Sequence, residues 1–302
     1  MILREHLQIR DPFVFPMPSK QCYYLFGTTD LNPWNERGEG FEAYISEDLI
    51  HFEGPHTVFS PSPDFWGTHD FWAPEVHYYH GMYYMFATFT SEERRRGTQI
   101  LTASSILGPY EPVVNQAVTP PEWECLDGTL FVDQDDTPWI VFCHEWVQVN
   151  DGTVCAMKLA DDLTEAISPP IVLFHASEAS WPDVRERRDG SRLLDARVTD
   201  GPFLHRMGDG TLVMLWSSTT KKGYAMGQAH SISGRLAGPW IQNEAPLIAS
   251  DGGHGMVFED MSGKLKVVYH TPNSTPHERL TLIDVVEHEH WLTKRTTGEE
   301  TS

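Results

Sequence analysis

Cysteine and basic residues are scarce in this 302-residue chain, and long apolar runs are absent. Its four cysteines, Cys22, Cys125, Cys143 and Cys155, form no CxxC pair and no zinc spacing. A disulfide framework and a structural zinc are therefore excluded, and the four read as reduced, mostly buried thiols. Lys and Arg number 22 against 43 Asp and Glu, a net charge of -21. Such a surface repels phosphate backbones and anionic lipids, so neither nucleic acid nor a membrane is an expected partner. The one basic run, Arg94-Arg95-Arg96, reads as a solvated loop tip beside Gly97. No stretch approaches the ~18 apolar residues of a membrane span. Met1 to Arg10 holds no apolar run of signal length, and a cytoplasmic location is expected. GxGxxG, Walker, GxSxG and HExxH signatures are missing too, which disfavours nucleotide, serine-hydrolase and catalytic transition-metal chemistry.

Helical periodicity is nearly absent as well. What is present is a series of short aromatic or β-branched runs bounded by Gly, Pro, Asn and Asp, such as Cys22-Tyr23-Tyr24-Leu25-Phe26 and Met82-Tyr83-Tyr84-Met85-Phe86. They group in fours. Each group opens on a polar or charged residue beside Gly or Pro, followed by an apolar strand. The openings are Arg10-Asp11-Pro12-Phe13, Ala73-Pro74-Glu75-Val76, Asp127-Gly128-Thr129-Leu130, Asp200-Gly201-Pro202-Phe203 and His254-Gly255-Met256-Val257. Four-strand units repeating at this period predict propeller blades. The expected fold is all-β: one domain over residues 1–302, a five-bladed β-propeller with four-stranded antiparallel blades. Residues 280–286 are expected to complete the fifth blade with help from the N-terminal residues.

In that arrangement the five strand starts point Asp11, Glu75, Asp127, Asp200 and His254 into one central cavity. Asp-Gly and Asp-Pro are ordinary turn dipeptides, so one alone signifies little. Three at the same place in three repeats would converge, and converging carboxylates push at least one pKa upward. An ionised acid beside a protonated one is what glycoside hydrolysis uses, one activating water and the other protonating the leaving oxygen. Most tryptophans of a propeller pack between blades. Trp66 and Trp72, flanking His69-Asp70, are the best candidates for stacking on a sugar ring. His254, set between glycines, reads as a ligand for a water network or a cation.

The motifs Arg10-Asp11-Pro12, Phe71-Trp72-Ala73-Pro74-Glu75, Leu126-Asp127-Gly128-Thr129, Thr199-Asp200-Gly201-Pro202, Gly253-His254-Gly255 and His277-Glu278-Arg279 resemble glycoside hydrolase family 43 over nearly the whole chain. The resemblance implies a five-bladed propeller acting on arabinofuranosides and xylosides by single displacement with inversion. It makes Asp11 the general base, Asp127 the residue that tunes and orients the acid, and Asp200 the general acid. That family usually carries Glu at the acid position. Asp is shorter by one methylene, so Glu145, in Cys143-His144-Glu145-Trp146, is an alternative acid. The resemblance also maps a late active-site arginine to Arg279 and a structural calcium to the cavity near His254, with no cofactor required. The expected activity is exo-acting on small oligosaccharides, an α-L-arabinofuranosidase first and a β-xylosidase second. A catalytically inactive carbohydrate-binding propeller is the alternative from another class.

Overall fold

The computed structural model describes residues 1–34, 36–185 and 195–295. Five antiparallel sheets follow one another along the chain, and together they form the predicted five-bladed propeller. Blade 1 consists of Arg10–Met17, Cys22–Thr28, Phe41–Ser46 and His51–Phe59. Blade 2 has His69–Tyr79, Met82–Thr90, Gly97–Ala103 and Glu111–Pro112. Blade 3 has Cys125–Val132, Pro138–His144, Thr153–Lys158 and Ile171–His175. Blade 4 has Asp200–Arg206, Leu212–Thr220, Gly223–Ser231 and Trp240–Gln242. Blade 5 has Gly253–Glu259, Leu265–Thr271, Arg279–His288 and Trp291–Lys294. The hairpins use the expected turn residues. His80 and Gly81 both take positive φ, 46° and 87°, which matches the twist of the two strands they join.

Every inner strand carries the same irregularity near its start. The pairing register with the second strand shifts between Arg10 and Phe13, Trp72 and Glu75, Leu126 and Thr129, Asp200 and Phe203, and Gly253 and Met256. Inside each bulge one residue is left-handed: Asp11 (φ 50°), Ala73 (47°), Asp127 (55°), Gly201 (50°) and His254 (48°). These five, and not the five starts expected from sequence, are the equivalent positions. Asp200 stands one residue before the left-handed position and Glu75 two residues after it. In a strand a one-residue offset turns the side chain to the other face, and a two-residue offset carries it further along the strand.

The bulges also tie the blades together. The N–H of Ala73 donates to Thr28 Oγ1 at 2.9 Å, that of Asp127 to Thr88 Oγ1 at 2.9 Å, that of His254 to Ser217 Oγ at 2.8 Å and that of Asp11 to His270 Nδ1 at 3.1 Å. In each case the acceptor sits on the second strand of the preceding blade, opposite the residue that opens that blade's bulge. Blade 3 offers Cys143 at this place. A thiol is a weak acceptor, and the Gly201 N–H goes to Asp127 Oδ2 at 2.9 Å instead.

The ring closes differently from the sequence expectation. The outer strand of blade 5 is the C-terminal Trp291–Lys294, while the N-terminal Ile2–Leu3 adds to the outer edge of blade 1. Blades 5 and 1 meet through side chains and a single bridge, Gln8 with Arg279. Arg279 donates from Nε to the Glu5 carbonyl at 3.0 Å. It is therefore a closure residue, not the active-site arginine expected of it. Beside it the Arg10 guanidinium meets Glu278 at 2.6 Å. Between blades 1 and 2 the core is aromatic: Phe59, Phe65, Phe71 and Phe89 pack edge to face, and Trp66 lies against Phe65 and Phe89. All four cysteines are free and buried, as expected. Among the described residues no helix is long and apolar enough to cross a membrane.

The Arg10–Glu278 pair generates a stability prediction. Glu278 is fully buried, and its removal would strand the Arg10 charge in the closure seam. Glu278→Ala is expected to cost about 3–5 kcal/mol, measured as a drop in the urea unfolding midpoint. A loss below about 1 kcal/mol, the scale of an exposed pair, would show that the seam is held by other contacts.

Candidate active site

A cavity of ≈ 510 Å³ opens at the end of the axis where the inner strands begin. Asp11, Asp127, Asp200 and His254 all line it, as the sequence predicts, and so do Trp72 and Glu145. The left-handed backbone is what turns Asp11, Asp127 and His254 to a common point. Such a conformation costs a non-glycine residue of order 1–3 kcal/mol, and here the interblade hydrogen bonds hold it. His254 Nδ1 lies 3.2 Å from Asp11 Oδ1 and 3.7 Å from Asp127 Oδ2. The His254 ring packs on Gly201, where a Cβ would come within 2.7 Å of it. Gly201 at the fourth bulge is thus what lets the imidazole lie across the axis.

The surroundings of the three carboxyls differ. Asp11 Oδ2 accepts from Thr28 Oγ1 at 2.9 Å. Burial would raise its pKa, but His254, Arg10 and His270 together hold it below the ordinary carboxylate value. Asp127 and Asp200 are pushed the other way. Burial is the main cause for both, and their mutual repulsion adds for Asp200, so the pair titrates near about 6 and about 7. Asp200 Oδ2 accepts from the Tyr224 hydroxyl at 3.0 Å. The site therefore combines one carboxylate kept ionised with a second pair that shares protons near neutrality.

One wall of the cavity is built from a cation. Arg96 donates to Asp70 Oδ2 from Nε at 2.9 Å and Nη2 at 2.8 Å, and from Nη1 to Glu145 Oε2. Its guanidinium lies 4.6 Å over the Trp72 ring. The sequence expectation of a solvated tip is wrong for Arg96, whose side chain is only 19% exposed. It is right for Arg94 and Arg95, which are exposed. The reason is the strand Gly97–Ala103, whose start brings Arg96 over the cavity rim. Glu145 is drawn to about 7 by burial, against the pull of Arg96. Opposite, Arg10 lies 4.8 Å over Trp34, and Trp34 meets Trp72 edge to face at 5.1 Å.

Three expected site residues are not in the cavity. Trp66 is buried in the blade 1–2 core and donates from Nε1 to Gln99 Oε1 at 2.8 Å. Glu75 is buried on the axis beside His77, 3.4 Å away; the two-residue offset from the bulge takes it out of the lining. Arg279 is at the closure seam. Several lining residues had no site role in the sequence reading, among them Tyr224, Asn273 and Arg185, and Arg10 as a cavity arginine. Arg10 was within reach, since it precedes Asp11 in the same motif. Tyr224 lies on a third strand, outside the repeated opening, and carries no sequence signal.

The expected calcium fits these residues poorly. Calcium takes six to eight oxygens, whereas His254 offers nitrogen and its Nδ1 already faces Asp11 and Asp127. Among the described residues no group of three or more His, Cys, Asp or Glu is arranged to hold a metal ion.

The profile of Glycosyl hydrolases family 43 matches residues 6–292. The structure of an endo-arabinase from Bacteroides thetaiotaomicron VPI-5482 superposes with a TM-score of 0.88 at 41% identity, covering 96% of this chain and 98% of that one. An endo-1,4-beta-xylanase structure from the same organism gives a TM-score of 0.73 at 25% identity, covering 96% of this chain and 95% of the other. The extracellular exo-alpha-(1->5)-L-arabinofuranosidase ArbA of Cellvibrio japonicus (strain Ueda107) is 23% identical over 257 residues, 76% of this chain. The chain spans 66% of the length of that relative. With a match that runs through all five blades, a five-bladed fold and a carboxyl-lined axial cavity, the chain belongs to glycosyl hydrolases family 43 and is a glycoside hydrolase.

Proposed function

We propose that the chain removes terminal α-L-arabinofuranosyl residues from oligosaccharides with inversion at the anomeric carbon. In this reading Asp11 is the general base, Asp200 the general acid and Asp127 the group that tunes the acid. The observation that carries it is the unequal environment of three carboxyls in one cavity. Asp11, beside His254 and Arg10, is ionised and able to take a proton from water. Asp200, half-buried in the cavity wall beside Asp127, keeps a proton near neutral pH. Water attacks the anomeric carbon as its proton passes to Asp11; the C–O bond breaks as the Asp200 proton passes to the leaving oxygen. No step runs through a cation or cofactor.

Asp200 is preferred to Glu145 on geometry. Glu145 is engaged through Oε2 by the Arg96 guanidinium, whose positive charge works against burial and favours the ionised form, whereas the Asp200 oxygen is met by a neutral hydroxyl. Arabinofuranosyl specificity is supported by the relatives named for arabinan-type substrates, with β-xylosidase activity as the alternative. Trp34 and Trp72 offer aromatic surface for the C–H face of a sugar ring. The 41% identity to a protein named endo-arabinase favours a second reading, internal cleavage of arabinan.

Three outcomes test this. Aryl α-L-arabinofuranoside is expected to be cleaved much faster than aryl β-D-xyloside, and arabino-oligosaccharides to release arabinose together with only the chain one residue shorter as early products. Early products shortened by two or more residues would establish the endo reading, and faster xyloside cleavage would replace the sugar. Asp11→Asn is expected to lower kcat by about 10²–10⁴-fold with unchanged circular dichroism; near-normal turnover would remove Asp11 from the base role. For pH, the acid must be protonated, so activity should fall as pH rises through about 7. Asp127→Asn removes a charge that raises the Asp200 pKa, so the basic limb of kcat/KM should move to lower pH. An unmoved limb would argue against the tuning role.

A further inference from the structure

Asp200 raises a positional problem. A carboxylic acid has two oxygens, and only a proton on the oxygen facing the glycosidic bond is useful. A short side chain at the rim of a cavity has to be held with that oxygen forward. The hydroxyl of Tyr224 addresses this problem. It donates to Asp200 Oδ2 at 3.0 Å, so Oδ2 is the acceptor and Oδ1 is left to carry the proton.

The hydroxyl is itself held in place. The Tyr224 ring is 5% exposed and stacks on His270, with centroids 5.7 Å apart and planes at 18°. Gly253 packs against its other edge, where a Cβ would meet ring carbons at 2.9 Å. The Tyr224 N–H donates to Asp251 Oδ1 at 3.1 Å, and the Gly252 N–H donates to its carbonyl at 3.0 Å. His270 in turn accepts the Asp11 N–H. One rigid pair of rings thus touches the acid on one side and the base on the other. Burial and the charge of Asp200 hold the phenol pKa far above neutrality, so the hydroxyl stays a donor.

We propose that Tyr224 is the positioning residue of the general acid: its hydroxyl, fixed by the His270 stack, holds Asp200 Oδ2 so that Oδ1 presents the proton to the leaving oxygen. The proposal rests on Asp200 being the acid. When the proton leaves Oδ1 for the glycosidic oxygen, the C–O bond electrons pass to that oxygen, and the new carboxylate keeps the Tyr224 hydrogen bond. The contact strengthens as Asp200 becomes charged, so it aids acid catalysis more than it aids binding. Nothing in this role touches water attack, which Asp11 governs.

The test compares wild type, Tyr224→Phe and Asp200→Asn on two substrates of one sugar. The first is 4-nitrophenyl α-L-arabinofuranoside, whose leaving group departs with little help from an acid. The second is α-1,5-arabinobiose, whose leaving group needs a proton. Tyr224→Phe keeps the ring stack and deletes only the hydroxyl. It should lower kcat on the disaccharide by about 10- to 100-fold, the worth of one hydrogen bond to a charged group, and leave the nitrophenyl rate within about 3-fold. The ratio of the two rates is independent of how much variant folds. The basic limb of kcat on the disaccharide should also rise in pH. The Tyr224 hydrogen bond lowers the Asp200 pKa, whereas Asp127 and Asp11 raise it and His254 opposes them; Glu145 is the further charge facing it. Equal loss on both substrates, or none on either, would overturn the positioning role if Asp200→Asn still shows selective loss on the disaccharide. If Asp200→Asn shows no such selectivity, the acid assignment itself fails, and Tyr224 falls with it.

Discussion

Each bulge N–H of the propeller is accepted by a side chain of the neighbouring blade, and the rest of the site depends on that ring of hydrogen bonds. Thr28, Thr88, Ser217 and His270 take the N–H of Ala73, Asp127, His254 and Asp11. A left-handed residue in a strand is unfavourable for anything but glycine. Blade stacking makes it the best available state, because the alternative leaves a buried N–H without a partner. At Asp127, His254 and Asp11 the same bond that joins two blades therefore aims a polar side chain at the axis. Thr28 shows the economy of this: its hydroxyl accepts from Ala73 and donates to Asp11.

The protein is strongly acidic, yet two of the arginines that line the cavity are each held by carboxylates. Arg10 is matched by Glu278, and Arg96 by Asp70 and Glu145. This leaves the carboxyls on the axis to be sorted by local partners rather than by the overall field. Asp11 has His254, Arg10 and a threonine hydroxyl close by; for Asp127 burial outweighs His254 and the Gly201 N–H, and for Asp200 burial is reinforced by the charge of Asp127. Two carboxyl pKa values driven apart are what a base and an acid sharing one cavity would require.

The fold and three of the axial carboxyls were legible in sequence because a propeller repeats its own grammar. A polar residue, a Gly or Pro and an apolar strand recur five times, so Asp11, Asp127, Asp200 and His254 could be picked out together. The same reasoning placed Glu75 in the lining and failed, since motif spacing does not resolve a two-residue offset around a bulge. Trp66 failed for another reason. Its neighbours in sequence suggested a ligand platform, but Phe59, Phe65 and Phe89 enclose that part of the chain. Arg96 was hidden in a run of three arginines of which two are solvated.

By itself, then, the sequence determined the all-β architecture, the number of blades and the motif that marks each inner strand. Local patterning of turn residues and apolar runs specifies these without reference to distant partners. Only the tertiary structure decided which side chains enter the cavity and what each one meets there. Tyr224 reaches Asp200, Arg96 reaches Glu145 and His270 reaches Asp11. These partners lie on other strands or other blades, so their meeting follows from how the sheets stack and close, and no local pattern encodes it.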